Sequence, residues 1–133
     1  MSRKKKVLVI VGVVVLVIVL GVSSMVRRMN RFTENLEALS YSDVDLSELA
    51  DGEYIGECDL DVVKARVSVI ISEGAIIGLD ILEHRHGRGS AAESIIDDVL
   101  AEQRVTVDTI SGATASSRVI LKAVENALLG VES

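Results

Sequence analysis

From Val7 to Val26 the chain reads VLVIVGVVVLVIVLGVSSMV, 20 residues without a charge. At about 1.5 Å per residue a helix of that length covers about 30 Å, the hydrocarbon thickness of a bilayer. Valine and isoleucine are poor helix formers in water, but in lipid the backbone must bond internally, so the stretch predicts a membrane-spanning helix. A cleaved signal peptide competes with this reading, since the start is basic and Val22-Ser23-Ser24 offers small residues for cleavage. The run exceeds the usual signal core, which favours an uncleaved anchor.

The pattern then changes. Residues 27–50 are polar and charged, with Met29, Phe32, Leu36 and Leu39 at near-helical spacing. They predict either a short amphipathic helix continuing from the span or a solvated spacer. Tyr41 to Ala50 reads as a loop or a short helical turn. Asp51-Gly52 signals a turn, and Glu53 to Leu60 alternates loosely, as a strand. Val63 to Ile71 alternates cleanly, a strand with one buried face. Ser72 to Ala75 makes a hairpin turn, and Ile76 to about Glu83 returns, with Ile77, Leu79 and Ile81 expected inward and Asp80 outward.

Two helices follow. Ala92, Ile95, Ile96, Val99 and Leu100 have helical spacing, with Ser90 and Glu93 forming an expected capping box and an end near Gln103. Val105-Thr106-Val107 is a short extended piece. Ile120, Ala123, Val124, Ala127 and Leu128 make one face of the last helix, which Ser116 or Ser117 is expected to cap and Gly130 to stop. A three-stranded antiparallel meander cannot bury its apolar face alone, so the two helices must cover it. The fold class is α+β, an N-terminal transmembrane helix followed by a small antiparallel sheet covered by two helices.

Composition narrows the function. The chain of 133 residues has a net charge of -6, basic at the start and acidic afterwards. That balance, with two Tyr, one Phe and no Trp, argues against nucleic acid. One cysteine, Cys58, cannot build a disulfide, a zinc site or an iron–sulfur site, and is expected to be a small apolar packing residue. His84 and His86, two residues apart, make no metal site without further ligands. Redox chemistry would need an added cofactor.

The stretch with chemical character is Asp108-Thr109-Ile110-Ser111-Gly112-Ala113-Thr114, followed by Ala115-Ser116-Ser117 at a helix start. Free N–H groups and the positive end of a helix dipole converge there, a setting that suits a phosphate, and Thr114 offers a hydroxyl. The motif resembles the flavinylation motif of FMN-binding domains: Asp, two variable residues, Ser or Thr, Gly, Ala, then Thr or Ser. Such domains occur in the C and G subunits of the Nqr and Rnf redox pumps and in small extracytoplasmic electron carriers. The resemblance extends from about Asp51 to Gly130. It implies that Thr114 carries FMN through a phosphoester, installed by a separate magnesium-dependent flavin transferase that uses FAD.

On that reading Gly112 and Ala113 let the phosphate approach the backbone, and Ser111 and Ser116 donate hydrogen bonds to it, with Ser117 beside them. Asp108 holds the turn or helps the transferase. Arg118 and Lys122, one turn apart, either reach the phosphate or form a solvated face. Residues 83–90, with both histidines, are the expected pocket border, and His84 or His86 is a candidate flavin contact. Gly87 and Gly89 match the family there, but its more usual Pro-containing sequence is missing.

The organisation implied is a basic cytoplasmic N-terminus at 1–6, an anchor at 7–26, a partly helical linker at 27–50 and an FMN-binding domain at 51–133. Arg3, Lys4, Lys5 and Lys6 before the span, against Arg27, Arg28 and Arg31 after it, weakly place the N-terminus inside and the domain outside a bacterial cytoplasmic membrane, as a single-pass protein. The expected function is electron transfer between membrane or extracytoplasmic redox partners, as a carrier or subunit and not an enzyme in itself. A small reductase with non-covalent FMN and a cofactor-free anchor or assembly subunit are the alternatives.

Overall fold

The computed structural model describes residues 2–85 and 90–130. The chain divides into two compact units, Met1–Glu34 and Asn35–Ser133.

The first unit is helical from Arg3 onward. Helix α1, Arg3–Ala38, runs through it and into the second. It is long and apolar enough to cross a membrane. Its large side chains from Val7 to Val26 are exposed. An apolar surface on all sides of a helix is stable in hydrocarbon and not in water.

The second unit holds a three-stranded antiparallel sheet in the order β1-β2-β3. The strands are β1, Gly52–Asp59; β2, Lys64–Ser72; and β3, Ala75–Arg85. The β2–β3 hairpin closes through Glu73 and Gly74, with φ of 52° and 73°. Positive φ at both positions matches the right-handed twist of the strands. Glu73 is held in that conformation by its N–H, which donates to Asp51 Oδ1 at 2.8 Å.

The apolar alternation holds in β2, where Ala65, Val67, Val69 and Ile71 are buried and Ser68 is buried between them, but it fails in β3. Ile71 pairs with Ile76 and Ile70 with Gly78, which leaves Ile77 as an extra residue. Ile76 and Leu79 therefore point inward at 3% and 4% exposure, and Ile77, expected inward, is 63% exposed. A second irregularity pairs Arg66 with Glu83 and Val67 with Ile81, leaving Leu82 outward. Each is a β-bulge, which flips the faces of everything beyond it.

Two helices cover the sheet. α3, Thr114–Leu129, packs across β1 and β2, while α2, Ile95–Glu102, packs on β3. The core between them contains Val67, Val69, Ile71, Ile95, Val99, Ile120 and Val124. α2 starts later than its capping box implied. Ser90–Ser94 is a 3-10 turn, and Glu93 reaches His84 instead of folding back on Ser90. At the far end Gln103 adopts φ 56°, and its side-chain amide bonds both backbone groups of Ile76, at 2.7 and 2.9 Å. The amide thus occupies the edge of β3 where another strand would pair.

α3 and β1 touch through backbone. Gly56 lies against Ala123 and Ala127, and a Cβ on it would fall 2.2 Å from Ala123 O and from Ala127 N. Asn126 Nδ2 donates to Glu57 O at 2.8 Å beside this contact. Gly130 ends α3 at φ 68°, the left-handed cap its position predicted.

Residues 39–50 are not a solvated spacer. They lie inside the second unit, and with the 3-10 turn Leu46–Glu48 they form a strap fixed to the domain by hydrogen bonds. The compact unit that contains them begins at Asn35.

Candidate functional site

The motif Asp108–Thr114 forms the loop between the extended piece Val105–Val107 and α3. Val105 and Val107 are buried at 1% and 5% exposure and seat the incoming chain in the core. Ile110 to Ala113 then makes a tight turn, in which Ala113 N–H donates to Ile110 O at 3.0 Å. Gly112 stands third in it with φ 79°, the sign a type II turn demands there. No atom lies within 4 Å of the place where a Gly112 side chain would begin, so the space over this peptide is open.

Thr114 is the first residue of α3 and is exposed. The residue before it, Ala113, provides no side-chain cap. The N–H groups of Thr114, Ala115 and Ser116 have no partner within the helix, and the usual Ser, Thr or Asp cap is missing. The first intrahelical bond is Ser117 N–H to Ala113 O at 2.9 Å. The Thr114 hydroxyl therefore stands beside uncapped donors at the positive end of a 16-residue helix.

The two serines inside the first turn do other work. Ser117 is fully buried. Its Oγ accepts from Ile110 N–H at 3.0 Å and donates its one proton to Ala113 O at 2.7 Å. It staples the turn and has no proton left for a phosphate, contrary to the sequence expectation. Ser116 is 3% exposed. It follows Thr114 by two residues, about 200° around the helix axis, so its side chain leaves on another side. Neither serine is the N-cap that was expected. Ser111, Gly112 and Asp108 are exposed around the loop, where Ser111 and Asp108 meet solvent beside Thr114.

The expected basic contacts are engaged elsewhere. Arg118 Nη2 donates to Leu39 O. Lys122 Nζ donates to Ser40 O at 2.9 Å and to Glu125 Oε1 at 2.6 Å. Both cations hold the strap, not the loop. No local pattern signals this, because their acceptors are carbonyls some 80 residues away. Burial of Glu125 opposes its charged form, but bonds from Lys122 and from Ser42 N–H outweigh it and hold the carboxyl below the ordinary glutamate range.

His84 lies opposite Ala65, on the helix-covered face of the sheet. Its side chain is 1% exposed, with Nδ1 3.1 Å from Glu93 Oε1. It is packed and tied to the 3-10 turn rather than lying open to solvent. His86, Gly87 and Gly89 lie outside the described residues. Cys58 is buried at 3% exposure, as expected of a packing residue, and burial pushes its thiol up to about 11. No group of three or more metal-binding side chains occurs among the described residues.

The model of the FMN-binding domain family matches residues 61–129, a span that begins after β1 and holds the whole motif. The chain belongs to the FMN-binding domain family. It is also 31% identical to an uncharacterized protein of Treponema pallidum (strain Nichols) over 114 residues, 83% of this chain and 32% of that protein. The chain thus spans about a third of that relative's length. An FMN-binding domain must receive a phosphate and leave room for a three-ring system. Open space over Gly112, an exposed hydroxyl at Thr114 and uncapped helix donors fit the phosphate end of FMN.

Proposed function

We propose that this protein is a membrane-anchored electron carrier or redox subunit whose FMN is esterified to Thr114 by a flavin transferase. The observation that supports it best is the placement of Thr114. A hydroxyl meant for modification must be exposed, and one meant to hold a phosphate must stand beside unpaired donors; Thr114 meets both conditions. In the attachment, Thr114 Oγ forms a bond to the flavin-side phosphorus of FAD. The pyrophosphate P–O bond breaks, AMP leaves with its electron pair, and the hydroxyl proton passes to a base on the transferase. Bound FMN supplies one- and two-electron redox chemistry. The chain's own residues hold it: Gly112 gives clearance, the Thr114, Ala115 and Ser116 N–H groups take phosphate oxygens, Ser111 offers a further donor, and Ser117 fixes the turn.

The domain works outside a bacterial cytoplasmic membrane on this reading, and its redox partners are membrane or extracytoplasmic proteins. The supporting feature is the basic run Arg3–Lys6 ahead of the apolar helix. A covalent link suits that location, since a dissociated cofactor would be diluted away. The protein is then a substrate of the transferase and not an enzyme itself. The test is intact mass after co-expression with a flavin transferase. Wild type gains one FMN less water and Thr114→Ala gains nothing. Flavin that is released on denaturation, or no flavin in either protein, overturns the covalent assignment.

A further inference from the structure

The strap after α1 is fixed to the chain entering the loop that carries Thr114 and to α3, the helix that forms its outgoing arm. On the incoming arm, Asp43 Oδ1 accepts from Val105 N–H at 3.0 Å and Thr106 N–H at 2.9 Å, and Oδ2 accepts from Thr106 Oγ1 at 2.8 Å. One carboxylate thus takes three donors from two residues that stand directly before the motif. On the outgoing arm, Glu125 accepts from Ser42 N–H and, at 3.3 Å, from Ser42 Oγ. Arg118 and Lys122, on the same face of α3, hold the carbonyls of Leu39 and Ser40. The neighbours Ser42 and Asp43 therefore tie the chain entering the loop to the middle of α3.

A chain segment that only connects could stay hydrated. Here a glutamate that is 4% exposed is spent on it. A buried charge is costly unless paired and bonded, and gives little net stability even then. What the arrangement does provide is a fixed spacing between Val105–Thr106 and α3. The loop cannot set that spacing alone, because its backbone turns on Gly112. The Ser117 staple closes the turn locally but does not reach the incoming arm beyond Ile110.

We propose that Asp43 and Glu125 are positioning residues for the flavin-bearing threonine: through the strap they hold the two arms of the loop at the spacing that orients Thr114 and the first turn of α3. This rests on the proposed attachment of FMN at Thr114, but its geometric half does not. Neither residue touches the cofactor; both act through the backbone.

The experiment uses the full chain in detergent, as wild type, Asp43→Ala, Asp43→Asn and Glu125→Gln. Two readouts are taken on each. The first is amide hydrogen exchange at Ile110, Ala113 and Ser117, the hydrogen-bonded amides of the loop, measured on chains that also carry Thr114→Ala and so lack flavin. The second is the fluorescence anisotropy of the flavin on chains flavinylated at Thr114. Asp43→Ala is expected to speed exchange in the loop about tenfold and to lower the anisotropy. Asp43→Asn keeps one acceptor oxygen and recovers most of both. Glu125→Gln lies between them. Asp43 is exposed, so its variants fold, and equal exchange in the centre of β2 verifies this. Unchanged loop exchange in Asp43→Ala overturns the proposal, whether or not flavin attaches. Faster exchange spread evenly over the domain also overturns it, since that is a loss of stability and not of positioning. If wild type acquires no flavin, the proposed function fails while the exchange result still decides the role of the strap.

Discussion

Gly56→Ala is the substitution whose cost can be worked most directly from the structure. The new Cβ would lie 2.2 Å from Ala123 O, 2.2 Å from Ala127 N and 2.7 Å from Ala127 Cα, all backbone, where ordinary contact starts at 3.4 Å. No rotamer relieves a clash between backbone and a Cβ. α3 and β1 must separate by more than 1 Å at their closest point, and the Asn126 bond to Glu57 O, now 2.8 Å, lengthens with them. Overpacking of this kind costs about 1–3 kcal/mol, from which the reduced freedom of the unfolded chain returns about 0.4–1 kcal/mol. A net loss of about 2 kcal/mol lowers the melting temperature of a domain this size by about 8–16 °C.

Gly78→Ala is the matched control. A Cβ there would meet only the Ile70 side chain, at 3.2 Å and beyond, and that chain can move. Its expected change is under about 0.5 kcal/mol in either direction. The assay is urea unfolding of the detergent-solubilised chain, read by pulse proteolysis of the domain. Equal midpoints for Gly56→Ala and Gly78→Ala would refute the claim that backbone contact sets the position of α3.

Gly112→Ala forces an alanine to φ 79° and is expected to cost about 1 kcal/mol and to slow flavin attachment, read by intact mass against time. Bonds from the Thr106 backbone, and from its hydroxyl and Val105 N–H, outweigh burial and lower the Asp43 carboxyl, as other bonds lower Glu125, so both fold below their unfolded values of 3.8 and 4.5. Folded pKa values below the unfolded ones stabilise the domain above those values. That stabilisation is lost as the pH falls through the folded ones, and Asp43→Asn with Glu125→Gln should flatten the acid limb of a stability–pH curve. Cys58, buried with its thiol near 11, should resist iodoacetamide at pH 8 in the folded chain and react once urea unfolds it.

What the sequence made legible was local. The motif, the apolar span, the glycine stop at Gly130 and the alternation of β2 each depend on residues within a few positions of one another, and each stands in the structure where its pattern placed it. The failures came from partners that no spacing encodes, some close in the chain and some far along it. Ile77 reads as inward only if β3 pairs without an extra residue, and the bulge is decided by β2, not by β3. Glu93 has the spacing of a capping box, yet His84 takes it. Ser117 looks like a phosphate ligand until Ile110 N–H and Ala113 O are seen to use its hydroxyl. The strap escaped notice because its residues bond to groups 62 to 83 positions away, and no composition or period encodes such partners. Gly56 gave no signal, since the close approach that requires it comes from α3.

The two bulges in β3 have a bearing on how many copies can share one membrane. A helix long and apolar enough to cross a membrane would confine its protein to a plane, where encounters between identical chains are frequent. A straight outer strand would then offer each newcomer a ladder to extend. Ile77 and Leu82 interrupt that ladder at two points, and the Gln103 amide occupies a third, at Ile76. Joining of sheets through β3 is thereby disfavoured, which leaves β1 as the regular edge of the sheet.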